Sequence, residues 1–435
     1  MPGSEPGRPA RMSRRTYLAA LGTGILSGLA GCSASSEAIA SEELGSSGGG
    51  TDDTWGPHTR LTPNDESVGH FGSSVALAGD GTTALVSATH HRASDGSKPG
   101  PAYVLGRTDN GWRQQATLTP DDGDLDTSFG WKGGSTALSG DATTVLVGAD
   151  KADEPNGLNS GVAYVFERAD GDWSRQSRLV PDGGAKQDFF GKSVALSDDG
   201  AVAVVGAWGA GSAYVFERTD DHWSQQATLA PEDGERGGAF GESVALSGDV
   251  TTAFIGAPYD DTSAGESSGS AYAFQRDGGT WRQREKLVAD DGDARDFFGG
   301  SVTLAGDTAI IGASEDDDPN GEDSGSAYVF ERTDDRWSQQ VKLVSDDGDS
   351  TDLFGVATAL TDDGTTALVG ARVDEDPNGD SAGSAYVFER TDDRWSQQAK
   401  LAPEDGESHD VFGRSVALAA DTAFLGTARG KAYVF

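Results

Sequence analysis

The chain of 435 residues has little of several residue types that usually define a protein class. It has one cysteine, which excludes an internal disulfide framework, and only nine of its 33 basic residues are lysine. No apolar stretch reaches the roughly 20 residues that a membrane-spanning helix needs. The 71 acidic residues give a formal net charge of −38, which argues against nucleic acid as a partner.

The acidic excess indicates a salty environment. In dilute buffer such a charge repels itself, whereas at molar salt the Debye length falls to about 3 Å and the repulsion is screened. The lysine-poor, aspartate-rich composition resembles that of haloarchaeal proteins. An acidic secreted protein from ordinary salinity is the alternative.

What the chain does have is glycine, with 62 residues, which is typical of a turn-rich β protein. Hydrophobic residues make up 35% of the chain, so a core must be assembled from many short strands. The length exceeds that of one ordinary domain and predicts either several domains or one large repeat architecture.

The first residues resemble an export signal. Arg14 and Arg15 precede a short uncharged stretch that ends in Leu29-Ala30-Gly31-Cys32, which resembles a twin-arginine signal followed by a lipobox. The resemblance implies cleavage of residues 1–31, a lipid on Cys32 and a protein tethered to the outer face of the cell membrane. Residues 32–54 have the Ser/Gly/Glu composition of a flexible tether. The alternative is a small buried cysteine in an ordinary signal anchor.

Seven copies of one unit fill residues 55–435. The dipeptide Phe-Gly marks each copy, at Phe71, Phe129, Phe190, Phe240, Phe298, Phe354 and Phe412. In the fifth copy Thr308–Ala313 is almost continuously apolar, as a strand covered on both faces should be, whereas residues 337–343 alternate like a half-solvated strand. Four strands that grade from covered to exposed predict one blade of a β-propeller.

The two ends of this region complete each other. Residues 55–61 resemble an outer strand without a preceding partner, and residues 431–435 stop one strand short of a unit. We therefore predict an all-β, seven-bladed β-propeller of four-stranded blades, closed by pairing of the N- and C-terminal strands in the last blade. The seven tryptophans at equivalent positions are predicted to be core residues: Trp55, Trp112, Trp173, Trp223, Trp281, Trp337 and Trp395.

The Phe-Gly pairs, together with Gly-Ala at the end of the second strand, as in Gly256-Ala257-Pro258, resemble FG-GAP repeats, the units of the integrin α-chain propeller. The resemblance implies the propeller fold and a role in adhesion or ligand binding. Integrin-type repeats hold Ca²⁺ in an Asp-rich loop between the first two strands, but here that loop is short, as in Ser247-Gly248-Asp249.

A calcium-like spacing occurs instead between the second and third strands. Alternate oxygen ligands before a glycine suit a hard cation. The residues are Asp316, Asp318 and Asn320 with Asp323 nearby, and Asp374, Asp376 and Asn378 with Asp380 nearby. They predict a Ca²⁺ site or, alternatively, purely structural Asx turns.

No catalytic motif stands out, and departures from the repeat are the better indicators of a ligand. The candidates for a ligand-binding face are His90, His91, Trp131, Lys132 and Trp208. The sequence favours a non-enzymatic binding, adhesion or scaffolding module for a surface protein or glycan. The alternative is an extracellular polysaccharide hydrolase or lyase with its site at the mouth of the propeller channel.

Overall fold

The computed structural model describes residues 39–43, 55, 58–64, 68–93, 96–120, 128–130, 133–153, 155–233, 237–317, 319–375 and 377–435. For residues 39–43, 90–93 and 96–99 the description covers the backbone only. All of these residues belong to one unit, Ser36–Phe435. Within this described part, no helix is long and apolar enough to cross a membrane.

The described residues form seven antiparallel sheets. The strands, in chain order, are β1 (Ile39–Glu43), β2 (Thr59–Pro63), β3 (Val68–Leu77), β4 (Thr83–Ala93), β5 (Gly96–Pro99), β6 (Ala102–Thr108), β7 (Gly111–Leu118), β8 (Thr136–Leu138), β9 (Thr144–Ala149), β10 (Val162–Ala169), β11 (Asp172–Leu179), β12 (Phe190–Leu196), β13 (Val202–Ala207), β14 (Ser212–Thr219), β15 (His222–Leu229), β16 (Ser243–Leu246), β17 (Thr252–Ala257), β18 (Ser270–Asp277), β19 (Thr280–Leu287), β20 (Ser301–Ala305), β21 (Thr308–Ala313), β22 (Ser326–Thr333), β23 (Arg336–Leu343), β24 (Phe354–Leu360), β25 (Thr366–Ala371), β26 (Ser384–Thr391), β27 (Arg394–Leu401), β28 (Ser415–Ala419), β29 (Thr422–Gly426) and β30 (Ala432–Val434).

Each sheet is one blade of a seven-bladed propeller, as predicted. Blade 1 consists of β3, β4, β6 and β7, with β5 paired to β4, and blades 2 to 6 take the strands from β8 to β27 four at a time. Blade 7 consists of β28, β29, β30 and β2. The predicted closure is therefore present, because Thr59 of β2 pairs with Val434 of β30.

The predicted tether contains one further strand. β1 pairs with β2 and extends blade 7 to five strands, with Ile39 opposite Pro63 and Glu43 opposite Thr59. The N-terminal segment therefore adds two strands, not one, to the last blade.

Burial within a blade follows the predicted gradient. Every residue of β21 is buried, whereas the outer strand β23 alternates between buried and exposed positions. The predicted core role of tryptophan holds for Trp112 and Trp337, which are buried and pack on Phe424 and Phe254 of the preceding blade, at ring-centroid distances of 5.4 and 4.8 Å. The other five are half-buried at the edge of the cores: Trp55, Trp173, Trp223, Trp281 and Trp395.

Neighbouring blades touch most closely through two glycines. A methyl group on Gly312, near the end of the second strand of blade 5, would lie 2.0 Å from the carbonyl oxygen of Gly355 in the Phe-Gly turn of blade 6. The same contact, at 1.9 to 2.1 Å, joins Gly148 to Gly191, Gly206 to Gly241, Gly256 to Gly299, Gly370 to Gly413 and Gly426 to Gly72. The last pair joins blade 7 to blade 1, so the ring closes with the contact that joins the other blades.

The contact between blade 1 and blade 2 has a serine in place of one glycine. Ser87 replaces the glycine of the second strand, and its hydroxyl donates a 2.7 Å hydrogen bond to the carbonyl oxygen of Gly130. In three other blades a serine of the first strand donates to that carbonyl instead: Ser193 to Gly241, Ser243 to Gly299 and Ser301 to Gly355, at 2.8 to 2.9 Å. A hydrogen bond thus accompanies the close approach.

This contact predicts that Gly312→Ala destabilises the protein by about 2 to 3 kcal/mol, because the new methyl group pushes two backbones apart. Gly237→Ala is the matched control, since nothing lies within 4 Å of its added methyl group. Chemical unfolding in molar KCl measures both. Equal midpoints for the two variants would show that the inter-blade approach is not tight.

Candidate functional site

One face of the propeller carries two sets of loops. Because the strands of each blade are antiparallel, the loops between second and third strands and the connections between blades lie at the end where the Phe-Gly turns begin the first strands. We call this the mouth face. Loops on such a face can vary in sequence while the sheets hold them in place.

A central channel of about 450 Å³ runs between the first strands of the seven blades. Its described lining is mostly Val, Ala, Leu, Ser, Thr and Gly, and among these described residues the charged ones are Lys192, Glu242, Arg372 and Arg414. All four come from the mouth end, either directly after a Phe-Gly turn or just beyond a second strand. Lys192 and Glu242 form an ion pair of 2.7 Å and so neutralise each other.

The two arginines line the same end of the channel and come from neighbouring blades. Arg414 directly precedes the first strand of blade 7 and Arg372 directly follows the second strand of blade 6. Burial lowers the pKa of the Arg414 guanidinium, and the positive charge of Arg372 lowers it further. Two cations therefore share the mouth of the channel.

The opposite end of the ring is acidic. Asp198 lies in the turn between the first and second strands of blade 3. Burial raises the pKa of its carboxyl group, and the charges of Asp362 and Asp199 add to the effect. The turns at this end therefore bring several carboxylates close together.

Exposed apolar side chains also lie on the mouth face. The described large hydrophobic residues with the greatest exposure are Leu158 (59%), Tyr259 (55%) and Val288 (37%). Each lies in a loop after a second strand or at the start of a connection between blades. They belong to blades 2 and 4, and Trp208 of blade 3 lies in the corresponding loop between them.

Trp208 is held by stacking. Its ring lies on that of Phe189 with centroids 4.7 Å apart and planes at 16°. The amide of Gln187, two residues before Phe189, donates to the carbonyl of Leu158, so the loop of blade 2 adjoins this aromatic pair. The loop that carries the exposed Leu158 therefore lies beside the half-buried pair Phe189 and Trp208.

The predicted cation loops contain lysine ammonium groups. Lys342 on the outer strand of blade 5 lies 2.9 Å from Asp316 and 2.9 Å from Asp291, and Tyr328 donates to Asp316 at 2.5 Å. Blade 6 repeats this with Lys400, Asp374, Asp347 and Tyr386, and blade 4 with Lys286, Asp260, Asp233 and Tyr272. We call each set of Lys, Tyr and loop Asp a lysine triad.

The pKa shifts agree with this geometry. Burial alone would lower the pKa of Lys342, but hydrogen bonds to Asp316 and Asp291 outweigh it and raise the pKa. Burial raises the pKa of the Tyr328 hydroxyl, and its hydrogen bond to Asp316 adds to the shift. Lysine therefore stays charged and tyrosine neutral, which suits a lysine that binds two carboxylates.

The described ligands of the predicted calcium loops already have partners. Asp316 is 4% and Asp374 3% exposed, and their carboxylates are already bound to an ammonium and a hydroxyl. Asn320 and Asn378 turn their amide nitrogens to the carbonyls of Ser345 and Pro403. In the part of the chain that is described, no group of three or more His, Cys, Asp and Glu could hold a metal ion. Asp318 and Asp376 lie outside that part, so a calcium role for the full loops stays a prediction.

The offset carboxylate residues serve the loop backbone. The amide of Asp323 donates to the side chain of Asp317 at 2.9 Å, and the carbonyl of Asp380 accepts from the amide of His409 at 2.8 Å. In the short turns between first and second strands, Asp249 accepts from Ser247 and Thr251. The contact of Asp249 with Thr251 is an Asx turn, whereas the contacts of Asp323 and Asp380 are of other kinds and leave both alternatives for the predicted calcium loops as predictions.

Other predicted site residues lie outside the described part. These are Arg14, Arg15, Cys32, Trp131 and Lys132. His90 and His91 are described by backbone only, in β4 opposite Gly69 and Val68 of β3. Of the predicted ligand-face residues, Trp208 alone has a described side chain.

The sequence analysis missed Arg372 and Arg414 as well as the lysine triads. Their signal was present in the repeat, because a lysine precedes the last leucine of the outer strand in the three blades whose loop has aspartate four residues after the strand glycine, namely Asp260, Asp316 and Asp374. Blade 3 has Thr228 and Ala210 at the two positions. Such paired changes among repeats indicate contact.

The fold and its mouth define a seven-bladed β-propeller of repeated four-stranded blades around a narrow channel. The chain belongs to the FG-GAP repeat family, which it matches over residues 55–105, 112–166, 173–216, 223–274, 281–330, 337–388 and 395–435. Each matched segment starts at an outer-strand tryptophan and ends in or near a third strand, so the sequence repeat is offset from the blade by one strand. This offset makes β2 the outer strand of blade 7.

Solved structures share the fold at low identity. The periplasmic gluconolactonase of Pseudomonas aeruginosa is 16% identical, with a TM-score of 0.52 over 85% of this chain and 98% of that chain. A protein assigned as a 6-phosphogluconolactonase from Bacteroides fragilis is 12% identical, with a TM-score of 0.51 over 86% and 97% of the two chains. At this identity the similarity concerns the fold alone. No curated protein matches the chain.

The lysine triad predicts energetic coupling between its members. Lys342→Thr leaves two carboxylates without their ammonium and should cost about 2 to 4 kcal/mol, because an unpaired buried charge is costly. Lys342→Thr with Asp316→Ala recreates the blade 3 pair and should cost at least about 1 kcal/mol less than the sum of the single changes.

Unfolding midpoints of the two single variants and the double variant measure this coupling, and exposed Lys186→Thr is the control. Additive changes would contradict the coupling within the triad. The calcium prediction for the full loops is tested on the wild type at fixed ionic strength: a midpoint that rises with calcium and saturates, relative to chelator, would support it, and an unchanged midpoint would contradict it.

Proposed function

We propose that this protein is a lipid-anchored, non-enzymatic binding module that presents its mouth face to a glycan or protein of the cell surface. The observation that carries the proposal is the exposed apolar surface of that face. In a protein with 71 acidic residues, Leu158, Trp208 with Phe189, and Tyr259 lie on loops at one end of the ring. Exposed apolar side chains that are grouped on one face favour an interaction site.

The environment of the carboxylates also favours binding over catalysis. A paired-carboxylate enzyme needs acids that reach the substrate. Asp316 and Asp374, at the mouth face, are bound to lysine and tyrosine, and they are at most 4% exposed. They have neither the access nor the free oxygen atoms for general acid–base catalysis.

A second candidate function, a polysaccharide hydrolase or lyase, has one observation in its favour. Burial raises the pKa of Asp296 and of Asp352 to about 6, with a further contribution from Asp316 and Asp374 respectively. Acids with such pKa values suit proton transfer near neutral pH. Both are buried, with 4% and 5% of their surface exposed, so a substrate would need the loops to open.

The anchor proposal places blade 7 nearest to the membrane. Only residues 33–38 separate Cys32 from β1, which is paired to the outer strand of blade 7. A chain of this length spans at most about 25 Å when fully extended. A lipid on Cys32 would therefore hold the edge of blade 7 close to the bilayer.

Cell fractionation tests the anchor. Wild-type protein should collect with membranes at the mass of a lipidated chain that starts at Cys32. Cys32→Ser should lose the lipid and appear in the medium or as the uncleaved precursor, which mass spectrometry separates, whereas Ser33→Ala should behave as wild type. If the Cys32→Ser protein is still found in the membrane fraction with the mass of the lipidated wild-type chain, Cys32 is not the lipidated residue.

Binding is tested with extracellular polysaccharide purified from the producing cells and immobilised on beads, in molar KCl. The full chain should be retained without release of reducing or unsaturated sugar ends. Trp208→Ala should reduce retention at least about fivefold, since removal of a buried aromatic contact typically costs more than 1 kcal/mol. His222→Ala, an exposed ring at the opposite end of the same blade, should not. Release of sugar ends would favour the enzyme instead.

A further inference from the structure

Positive charge prevails in the described lining of the channel, although the protein as a whole is acidic. This lining contains three cationic residues and one anionic residue, whereas the whole chain has 33 basic and 71 acidic residues. Because Glu242 neutralises Lys192, the excess charge resides on Arg372 and Arg414. A cavity lined by one sign of charge raises the local concentration of the opposite ion.

These two arginines lack the partners that structural arginines have here. Arg218 and Arg276 pair with glutamates of the preceding blade, and Arg332 pairs with Asp307. Among described residues, neither Arg372 nor Arg414 forms an ion pair or a side-chain hydrogen bond. Two neighbouring guanidiniums repel each other unless an anion lies between them.

The repeat itself does not require either arginine. The position of Arg414, directly after the Phe-Gly turn, is Gly300 in blade 5 and Val356 in blade 6. The position of Arg372, two residues after the strand glycine, is Pro258 in blade 4 and Ser314 in blade 5. The blades form with uncharged residues there, so folding does not explain the arginine pair.

The rest of the channel suits the uncharged, hydroxylated part of a ligand. Its wall is made by the first strands, which are the inner edges of the sheets, so each has a partner strand on one side only. Backbone N–H and C=O groups on a sheet edge seek hydrogen bonds from water or a ligand. Thr303 adds a hydroxyl group to the lining, and the hydroxyl oxygens of Ser243 and Ser301, which donate to Gly299 and Gly355, can still accept a hydrogen bond.

We propose that the mouth of the channel binds a sugar acid, a compact monocarboxylate whose carboxylate lies between Arg372 and Arg414 and whose hydroxylated body enters the channel. Arginine suits this task because its planar fork of N–H groups matches a carboxylate with two parallel hydrogen bonds. The channel volume of about 450 Å³ is large enough for one sugar unit and lies within the usual range of ligand pockets.

A carboxylate nearby competes for the site. Glu315 lies close enough to Arg372 for that positive charge to act on its pKa, although burial and Asp323 raise the pKa overall. Removing this competitor should strengthen anion binding. Loss of either arginine should therefore lower the affinity for an anion, whereas loss of Glu315 should raise it.

Titration calorimetry of the full chain with D-galacturonate tests the proposal, at constant ionic strength. D-Galactose lacks the carboxylate, whereas acetate lacks the hydroxylated body, and octanoate replaces that body with an aliphatic one. Galacturonate should bind at least about tenfold more tightly than each of the three, since each good hydrogen-bonded contact to a charge contributes more than 1.4 kcal/mol.

Variants assign the binding to the mouth. Arg372→Gln and Arg414→Gln should each weaken galacturonate binding at least tenfold and Arg414→Lys several-fold, while Glu315→Gln should strengthen it. Arg336→Gln, an exposed arginine at the opposite end of a blade, is the control and should have no effect. If both Gln variants bind galacturonate with wild-type affinity, the arginines are not the binding site. If the wild type binds acetate or octanoate as tightly as galacturonate, the ligand is not a sugar acid.

This inference rests on the proposed binding function, but the experiments distinguish failure of the one from failure of the other. If galacturonate does not bind while the immobilised polysaccharide still retains the chain through Trp208, the channel proposal is wrong and the surface function stands. If the polysaccharide is not retained but galacturonate binds with the expected dependence on both arginines, the ligand is a free sugar acid.

Discussion

The ring depends on the contact between the carbonyl of a Phe-Gly turn and a glycine of the preceding blade, which is present at six of the seven turns. The separation leaves no room for a Cβ atom, so most blades need glycine at both positions. It also dictates the turn, because the residue before the phenylalanine has a positive φ in each blade, with values between 50° and 56°. For residues other than glycine that conformation costs about 1 kcal/mol or more, which the buried phenylalanine and the inter-blade contact offset.

The repeat divides the sequence into positions that the ring needs and positions that it does not. Tyr328 recurs as tyrosine in the other blades because it fills space beside the buried phenylalanine, at a ring-centroid distance of 5.5 Å from Phe298. The position after Gly-Ala is arginine only in blade 6 (Arg372) and tryptophan only in blade 3 (Trp208), and the position after Phe-Gly is arginine only in blade 7 (Arg414), with Lys192 as the other basic residue there. In a protein of repeated units, residues that break the pattern at the end of a rigid channel are the natural candidates for recognition.

Much of the fold follows from the sequence, whereas the site follows only in part. Phe-Gly spacing, the apolar run of β21 and the unmatched outer strand near residue 59 predict blade number, strand order and closure, because strand period and turn residues are local signals. The lysine triads could not be read in this way. Lys342 looks like a solvated outer-strand residue until the loop carrying Asp316 is placed beside it. The arginine pair likewise depends on distances between blades 6 and 7, which no local pattern contains.

Closure through β2 also bears on how the molecule forms. The strands of blades 1 to 6 pair with near neighbours in the sequence, so each can form soon after its residues are available. Blade 7 instead joins Thr59 to Val434, the most distant residues of any described strand pair. The entropic cost of closing such a loop grows only with the logarithm of its length, so the free energy of unfolding is little affected. The folding rate, in contrast, falls when contacts join residues far apart in the sequence. We therefore expect ring closure to be the slow, final step, during which an open arc of stacked blades exposes the outer edge of β30.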